Sequence, residues 1–342
     1  MFPEAVVSWP TSHDGEDHLS TVPFLTLVQD PLVEVEALLA SQADGYHPDL
    51  RAALHHLLAA GGKRIRPTVA LLMGRLLGAP HDRLIILAAA LEMLHTATLV
   101  HDDLIDGALL RRGTPTLNAQ WSPAATVLTG DFLFARAALL ATNTQSLHVM
   151  RLFTQTLAVI VDGEIRQLFE GGVYTSTEQY VHRIYAKTAS MFELATAAAA
   201  TLAGAEPESP LYETARRYGY HIGMAFQIVD DVLDYQGDSQ QVGKPVGNDL
   251  RNGLVTLPAL VYMERHGQDP DLQAVLQNGG LYDAQRLGAL VQRIRESGAL
   301  QTAVEAARRH IAEALDALHD LPPGPEHEAL DALARYVVDR DF

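Results

Sequence analysis

The chain has 342 residues, 48% of them hydrophobic, and a formal net charge of −17. That charge argues against nucleic acid or an anionic membrane surface as the main partner, so an anionic substrate would need metal ions or a local basic patch. Cysteine is absent, which excludes disulfides and a thiol nucleophile and leaves oxygen or imidazole ligands for any metal.

Residues 1–22 are polar and lack periodicity, and they predict a loose arm ahead of one helical domain over residues 23–342. The start, MFPEAVVSWP, has no basic region followed by an apolar one, so no secretory signal is expected. No uncharged apolar run reaches ~18 residues, so no transmembrane segment is expected either, and the location predicted is cytoplasmic. Helical spacing predicts helices over Phe24–Ala43 and Pro48–Ala60, the second stopped by Gly61-Gly62. GGKRIRP follows at Gly61–Pro67. Its Lys63, Arg64 and Arg66 form a dense basic group, and its glycines let backbone approach a ligand. Taken alone, such a run is most simply a solvated turn.

Helices are predicted over Thr68–Leu77 and Asp82–Asp106. The second ends in LVHDDLID, with Asp102 and Asp106 one turn apart on a single face and Asp103 beside them. Like charges at that spacing destabilise a helix, and a cation would turn the repulsion into attraction. His95 stands about two turns earlier, where a lone histidine is more often packed or capping than a ligand. Arg111 and Arg112 come next. They suit either bidentate phosphate contacts or a surface helix end, before a loop at Thr114-Pro115.

Further helices are predicted over Asp131–Thr142, Ser146–Phe169 (with Glu164 and Gln167 at i and i+3), Tyr180–Ala203 (with Lys187-Thr188) and Tyr212–Asp234. The last contains FQIVDDVLD, so Asp230, Asp231 and Asp234 repeat the acidic pattern 128 residues on (230 minus 102). A glycine-bearing loop with Lys244 follows. Then come Thr256–Arg265 and three or four amphipathic helices over Asp271–Asp339, broken at Gly279-Gly280 and Pro322–Pro325. Sustained period-two alternation is absent, so the fold class expected is all-α: a helical bundle with its polar site in the core between facing helices.

Two carboxylate clusters, several cations and a long apolar surround must be explained together. Carboxylates without zinc-type spacing favour Mg²⁺, which is commonly held by one or two carboxylates plus substrate phosphates. Basic residues in the same cavity suit phosphate directly. The ligand these residues fit is a diphosphate with an apolar tail, ionised where metal and cations stabilise the leaving charge.

These motifs (GGKRIRP, HTATLVHDDLID, RRG, GDFLFARA, GEIRQ, KTA, FQIVDDVLDYQGD and GKPVGNDLRNGLVTLPAL) resemble those of the all-trans polyprenyl diphosphate synthases, over roughly residues 60–260. The resemblance implies a large helical bundle of the isoprenoid synthase type with a central cavity. It implies Mg²⁺, three ions in all, with Asp102, Asp106, Asp230, Asp231 and Asp234 as ligands and Asp103 in the same motif. Arg111, Lys187, Thr188, Gln227 and Lys244 resemble the contacts to the allylic diphosphate. Lys63, Arg66, His95 and Arg112 resemble the metal-free pocket for isopentenyl diphosphate. The implied reaction is head-to-tail condensation by a homodimer. Ala97 and Thr98, just before the acidic turn, lack the bulk of short-chain members, and Phe153 lower down is a candidate floor. The product expected is C20 or longer, about C30–C40.

Rival expectations are a short-chain farnesyl or geranylgeranyl diphosphate synthase, a class I terpene cyclase, a non-catalytic subunit of a heteromeric synthase, and a structural bundle. A cyclase needs neither GGKRIRP nor RRG. Non-catalytic subunits usually lack an acidic motif, and both motifs are intact here.

Overall fold

The computed structural model describes residues 23–170, 176–236, 246–278, 280–281 and 283–339. The arm expected over residues 1–22 and the loop holding Lys244 lie outside the described residues. The first part contains α1 (Pro23–Thr26), α2 (Gln29–Ala40), α3 (Pro48–Ala59), α4 (Ile65–Leu77) and α5 (His81–Ile105). A short hairpin, β1 (Leu110–Arg111) and β2 (Thr114–Pro115), leads through α6 (Leu117–Gln120) to α7 (Pro123–Asn143) and α8 (Leu147–Glu170). Next come α9 (Thr177–Ile184), a π-helical turn at Tyr185–Ala189, α10 (Ser190–Leu202) and α11 (Pro210–Gln236). The remainder is α12 (Asn248–Arg251), α13 (Leu257–His266), α14 (Pro270–Asn278), α15 (Ala284–Glu296), α16 (Ala299–His319) and α17 (Pro325–Asp339).

The centre is α10, whose sequence SMFELATAAAATL is apolar nearly all round and buried along most of its length. A helix of that composition belongs inside a bundle. It packs against α4, α5, α8 and α11. Small residues allow the close approach: Gly223 of α11 lies against Ala189, and Gly219 against the Phe192 carbonyl. The apolar core built around it runs from Phe24 to Val337. By length and hydropathy, α5 and α7 could each cross a membrane, although both carry charged residues. The apolar window of α5 is 78% buried in the fold, which makes it a core helix, whereas that of α7 is 39% buried and presents Val127, Leu128 and Leu139 outward.

Three local departures from the expected elements have physical causes. The helix predicted from Phe24 is broken, because Pro31 cannot donate to the turn before it; α2 starts at Gln29 so that the proline falls in its first turn. The double arginine is not a helix end. Arg112 (φ 51°) and Gly113 (φ 75°) are both left-handed and form the two-residue turn of the β1–β2 hairpin, a turn type that matches strand twist. The helix predicted over Tyr180–Ala203 is interrupted by the π turn at Lys187-Thr188, a deformation that often marks functional sites.

Candidate active site

Four elements converge: the carboxyl end of α5, the basic turn before α4, the π turn, and the carboxyl half of α11. At the first acidic turn, Lys187 Nζ lies 3.6 Å from Asp102 Oδ2 and 3.0 Å from Glu164 Oε1 on α8. Burial raises the Asp102 carboxyl to about 6; Lys187 opposes the shift, while Glu164 and Asp106 add to it. Asp106, at the end of α5, is also shifted up, mainly by burial. Burial alone would lower Lys187, but Asp102 and Glu164 outweigh it and hold the ammonium charged, with its pKa above the ordinary range. Asp103 is buried and is not paired with Asp102. Its Oδ1 accepts from Arg111 Nε at 2.9 Å and Nη2 at 2.8 Å.

The π turn is fitted by glycines on both sides. A Cβ on Gly163 would stand 2.5 Å from Ala186 Cβ, and one on Gly223 would stand 2.5 Å from Ala189 Cα. The extra residue in the turn sends Lys187 to α5 and α8, while its neighbour Thr188 faces α11. Thr188 Oγ1 donates to Gln227 Oε1 (2.5 Å), and Gln227 Nε2 donates to Asp231 Oδ1 (2.8 Å). The other Asp231 oxygen accepts from the Tyr180 hydroxyl (2.8 Å). Burial raises Asp231 to about 6 against those two hydrogen bonds, and burial together with Asp231 keeps Tyr180 protonated. Asp234 accepts from the backbone N–H groups of Asn248 and Asp249 and so caps α12. The second acidic turn thus divides its labour. Asp231 and Asp234 carry these hydrogen bonds, while Asp230 lies within electrostatic reach of Arg66.

The basic side is built on the turn before α4. Arg66 Nη1 donates to His95 Nε2 (3.3 Å), and Arg66 Nε is buried without a hydrogen-bond partner. Burial, and then the charges of Arg66, Arg112, Arg111 and Arg64, push the His95 imidazole well below its ordinary pKa, so the ring is neutral. The Arg112 guanidinium donates to the Gly61 carbonyl, which ties the hairpin to the basic turn. His95, Arg111 and Arg112 line one cavity together with Arg64, Glu92 and Asp103. Lys63 is exposed beside it on the same turn.

Among the residues named for chain length, Ala97 is fully buried and Phe153 nearly so, while Thr98 donates its hydroxyl to the His95 carbonyl (2.8 Å). Sequence reasoning gave no role to Glu164, Glu92 or Tyr180. The i, i+3 spacing of Glu164 and Gln167 was a partial signal for the first. A lone charge inside the apolar run LEML was the signal for the second.

Comparison with known proteins bears directly on this arrangement. The polyprenyl synthetase family model matches residues 47–292. The chain belongs to that family. It is 38% identical to octaprenyl diphosphate synthase of Escherichia coli (strain K12) over 292 residues, 84% of this chain and 88% of that one. It is 42% identical to the all-trans-nonaprenyl-diphosphate synthase (geranyl-diphosphate specific) of Rhodobacter capsulatus over 289 residues, 83% and 87% of the two chains. The crystal structure of a polyprenyl synthase from Caulobacter crescentus CB15, complexed with calcium and isoprenyl diphosphate, superposes with a TM-score of 0.87 at 35% identity, covering 96% of this chain and 99% of that one. As a polyprenyl synthetase this chain is a trans-prenyltransferase of the medium-to-long-chain kind, and its all-α architecture is that of its structural relatives.

Proposed function

We propose that this enzyme joins isopentenyl diphosphate head-to-tail to an allylic diphosphate, releasing diphosphate, with a product of about C30–C40. The observation that carries the assignment of roles is the π turn. Its adjacent residues Lys187 and Thr188 tie the first acidic turn to the second, beside a pocket of cations around a neutral histidine.

The site fits a hard divalent cation. Its donors are oxygen only, and burial together with acidic neighbours leaves Asp102 short of compensating charge. Mg²⁺ is commonly held by one or two carboxylates and completed by substrate phosphates. Asp102 and Asp106 at the end of α5 and Asp230, Asp231 and Asp234 of α11 would hold Mg²⁺, three ions in all. When bound, Mg²⁺ supplies Lewis-acid stabilisation of the departing diphosphate.

The chain's own residues do the rest. Lys187 places a fixed cation where leaving-group charge develops, with Thr188 and Gln227 toward the same substrate and Arg111 aligned by Asp103; Lys244, outside the described residues, is given the same substrate by its motif alone. Lys63, Arg66, His95 and Arg112 hold the second diphosphate. The allylic C–O bond breaks, the isopentenyl double bond attacks the allylic carbon, and a proton leaves to the departing diphosphate. The helical interior keeps water from the cation. The small Ala97 leaves room for a growing tail, and Phe153 stands as its floor. We place the enzyme in the cytoplasm, as a homodimer formed through the outward apolar face of α7. Diphosphate release that needs Mg²⁺ and both substrates tests the reading.

A further inference from the structure

Arg64 is the one arginine of the basic turn without a part in the reaction described above. It is also one of four non-glycine residues at positive φ among the described residues, with φ 48° and ψ 31° immediately before α4. A side chain other than glycine adopts that left-handed conformation only where its surroundings enforce it. The enforcing contact is Glu92. Arg64 Nη1 lies 2.5 Å from Glu92 Oε1, and Glu92 is only 5% exposed, inside an otherwise apolar stretch of α5. Outside, Arg64 Nε reaches Glu36 Oε1 at 3.4 Å. A carboxylate buried this deeply is tolerated only when paired.

Glu92 stands three residues before His95, on the same face of the same helix. One rigid element therefore supplies both the histidine of the pocket and the anchor for the turn that brings Lys63 and Arg66 to it. Glu92 also faces the charges of Arg66 and Arg112. The far end of the turn is held by Arg112, itself left-handed, on the Gly61 carbonyl.

We infer that Glu92 is a positioning residue for the metal-free diphosphate pocket: with Arg64 it forms a buried clasp that fixes the basic turn, and it governs affinity for isopentenyl diphosphate and not for the allylic substrate. This rests on the pocket assignment proposed above. Among the described residues the hydrogen bonds of Arg64 run to Glu92 and Glu36, and none joins the clasp to the acidic turns or to Lys187, so its effect separates by substrate.

The test is steady-state kinetics with each substrate varied in turn, on Glu92→Gln, Arg64→Gln, the double variant and Lys63→Ala. Misplacement by about 1 Å can cost about a hundredfold. Either single clasp variant is therefore expected to raise KM for isopentenyl diphosphate about ten- to a hundredfold, with the allylic KM changed less than about twofold. The double variant is expected to be no worse than the singles, since both break one contact. An unchanged or lower KM for isopentenyl diphosphate in Glu92→Gln overturns the inference, because a carboxylate that merely dampened the cationic field would improve binding when neutralised. So does an equal rise for both substrates, which marks a general packing defect. Should Glu92→Gln not fold, Arg64→Lys, which keeps the charge and loses the fork, carries the same prediction. If Lys63→Ala raises that KM and Glu92→Gln does not, the clasp alone has failed. If neither raises it, the pocket assignment has failed and takes the clasp with it.

Discussion

Lys187 Nζ stands 3.6 Å from Asp102 Oδ2, although the two residues are 85 positions apart (187 minus 102) and belong to separate helices. The ammonium is shared with Glu164 at 3.0 Å, so one cation ties α5, α8 and the π turn together at the mouth of the candidate site. That position suits a lysine that meets the charge of a departing diphosphate.

Replacing Lys187 by Met removes the cation and leaves two half-buried carboxylates without it. We expect kcat to fall about 10²–10³-fold, the range for losing one preorganised electrostatic donor. The KM for isopentenyl diphosphate is expected to stay near its original value. Initial-rate kinetics with each substrate varied decide it, and an unchanged kcat would remove Lys187 from the chemistry.

The π turn is only as stable as the gap it fills. Adding a methyl at Gly223 places it 2.5 Å from Ala189 Cα, which is backbone and cannot swing away. We expect Gly223→Ala to destabilise the fold by about 1–3 kcal/mol, as overpacking does, and to lower kcat along with it. Gly163→Ala meets the Ala186 Cβ at 2.5 Å, a methyl with no torsion to move it, and is expected to cost about as much. Denaturant midpoints check both, and midpoints equal to that of the parent protein would contradict the role of these glycines.

The bundle was legible because its apolar residues recur at helical spacing and its acidic turns are embedded in them. Asp102, Asp230 and the basic turn could be singled out from residue type and spacing alone. The π turn could not, since a one-residue insertion into a helix is set by Gly163 and Gly223 on neighbouring helices and leaves no mark on the YAKTA periodicity. The Arg112-Gly113 turn was missed because arginine is an unusual occupant of a left-handed position; the tie to Gly61 that accompanies it is a tertiary contact. Asp231 and Asp234 share the spacing of Asp103 and Asp106. Only the fold separates their partners, Tyr180, Gln227 and α12.

We expect a histidine pair joining α11 and α16 to make stability sensitive to acid. His221 Nδ1 and His310 Nδ1 lie 2.9 Å apart, and burial, then His221 and Arg309, lower His310 from 6.5 to about 4, with Glu313 opposing. Between those values the unfolded chain binds a proton that the folded chain refuses. Stability is therefore full above about 6.5 and is lost as pH falls toward 4. His310→Asn is expected to flatten that slope, read as unfolding midpoints at pH 7.5 and 5. A slope parallel to that of the parent protein would refute it.

In the proposed channel, chain length turns on Ala97, fully buried on α5 five residues before Asp102. We expect Ala97→Phe to shorten the product. Farnesyl diphosphate and excess isopentenyl diphosphate, followed by mass spectrometry, provide the comparison. An unchanged product in the variant, or a parent enzyme that never extends farnesyl diphosphate, would defeat the proposed channel.

The most direct measurement is Mg²⁺-dependent diphosphate release in the parent protein, Asp102→Asn and Asp230→Asn, with isopentenyl and allylic diphosphates supplied together. The account predicts a polyprenyl product and metal-dependent turnover in the parent, and a loss of at least about 10²-fold in each variant. Undiminished turnover in both variants, or turnover indifferent to Mg²⁺, would contradict it.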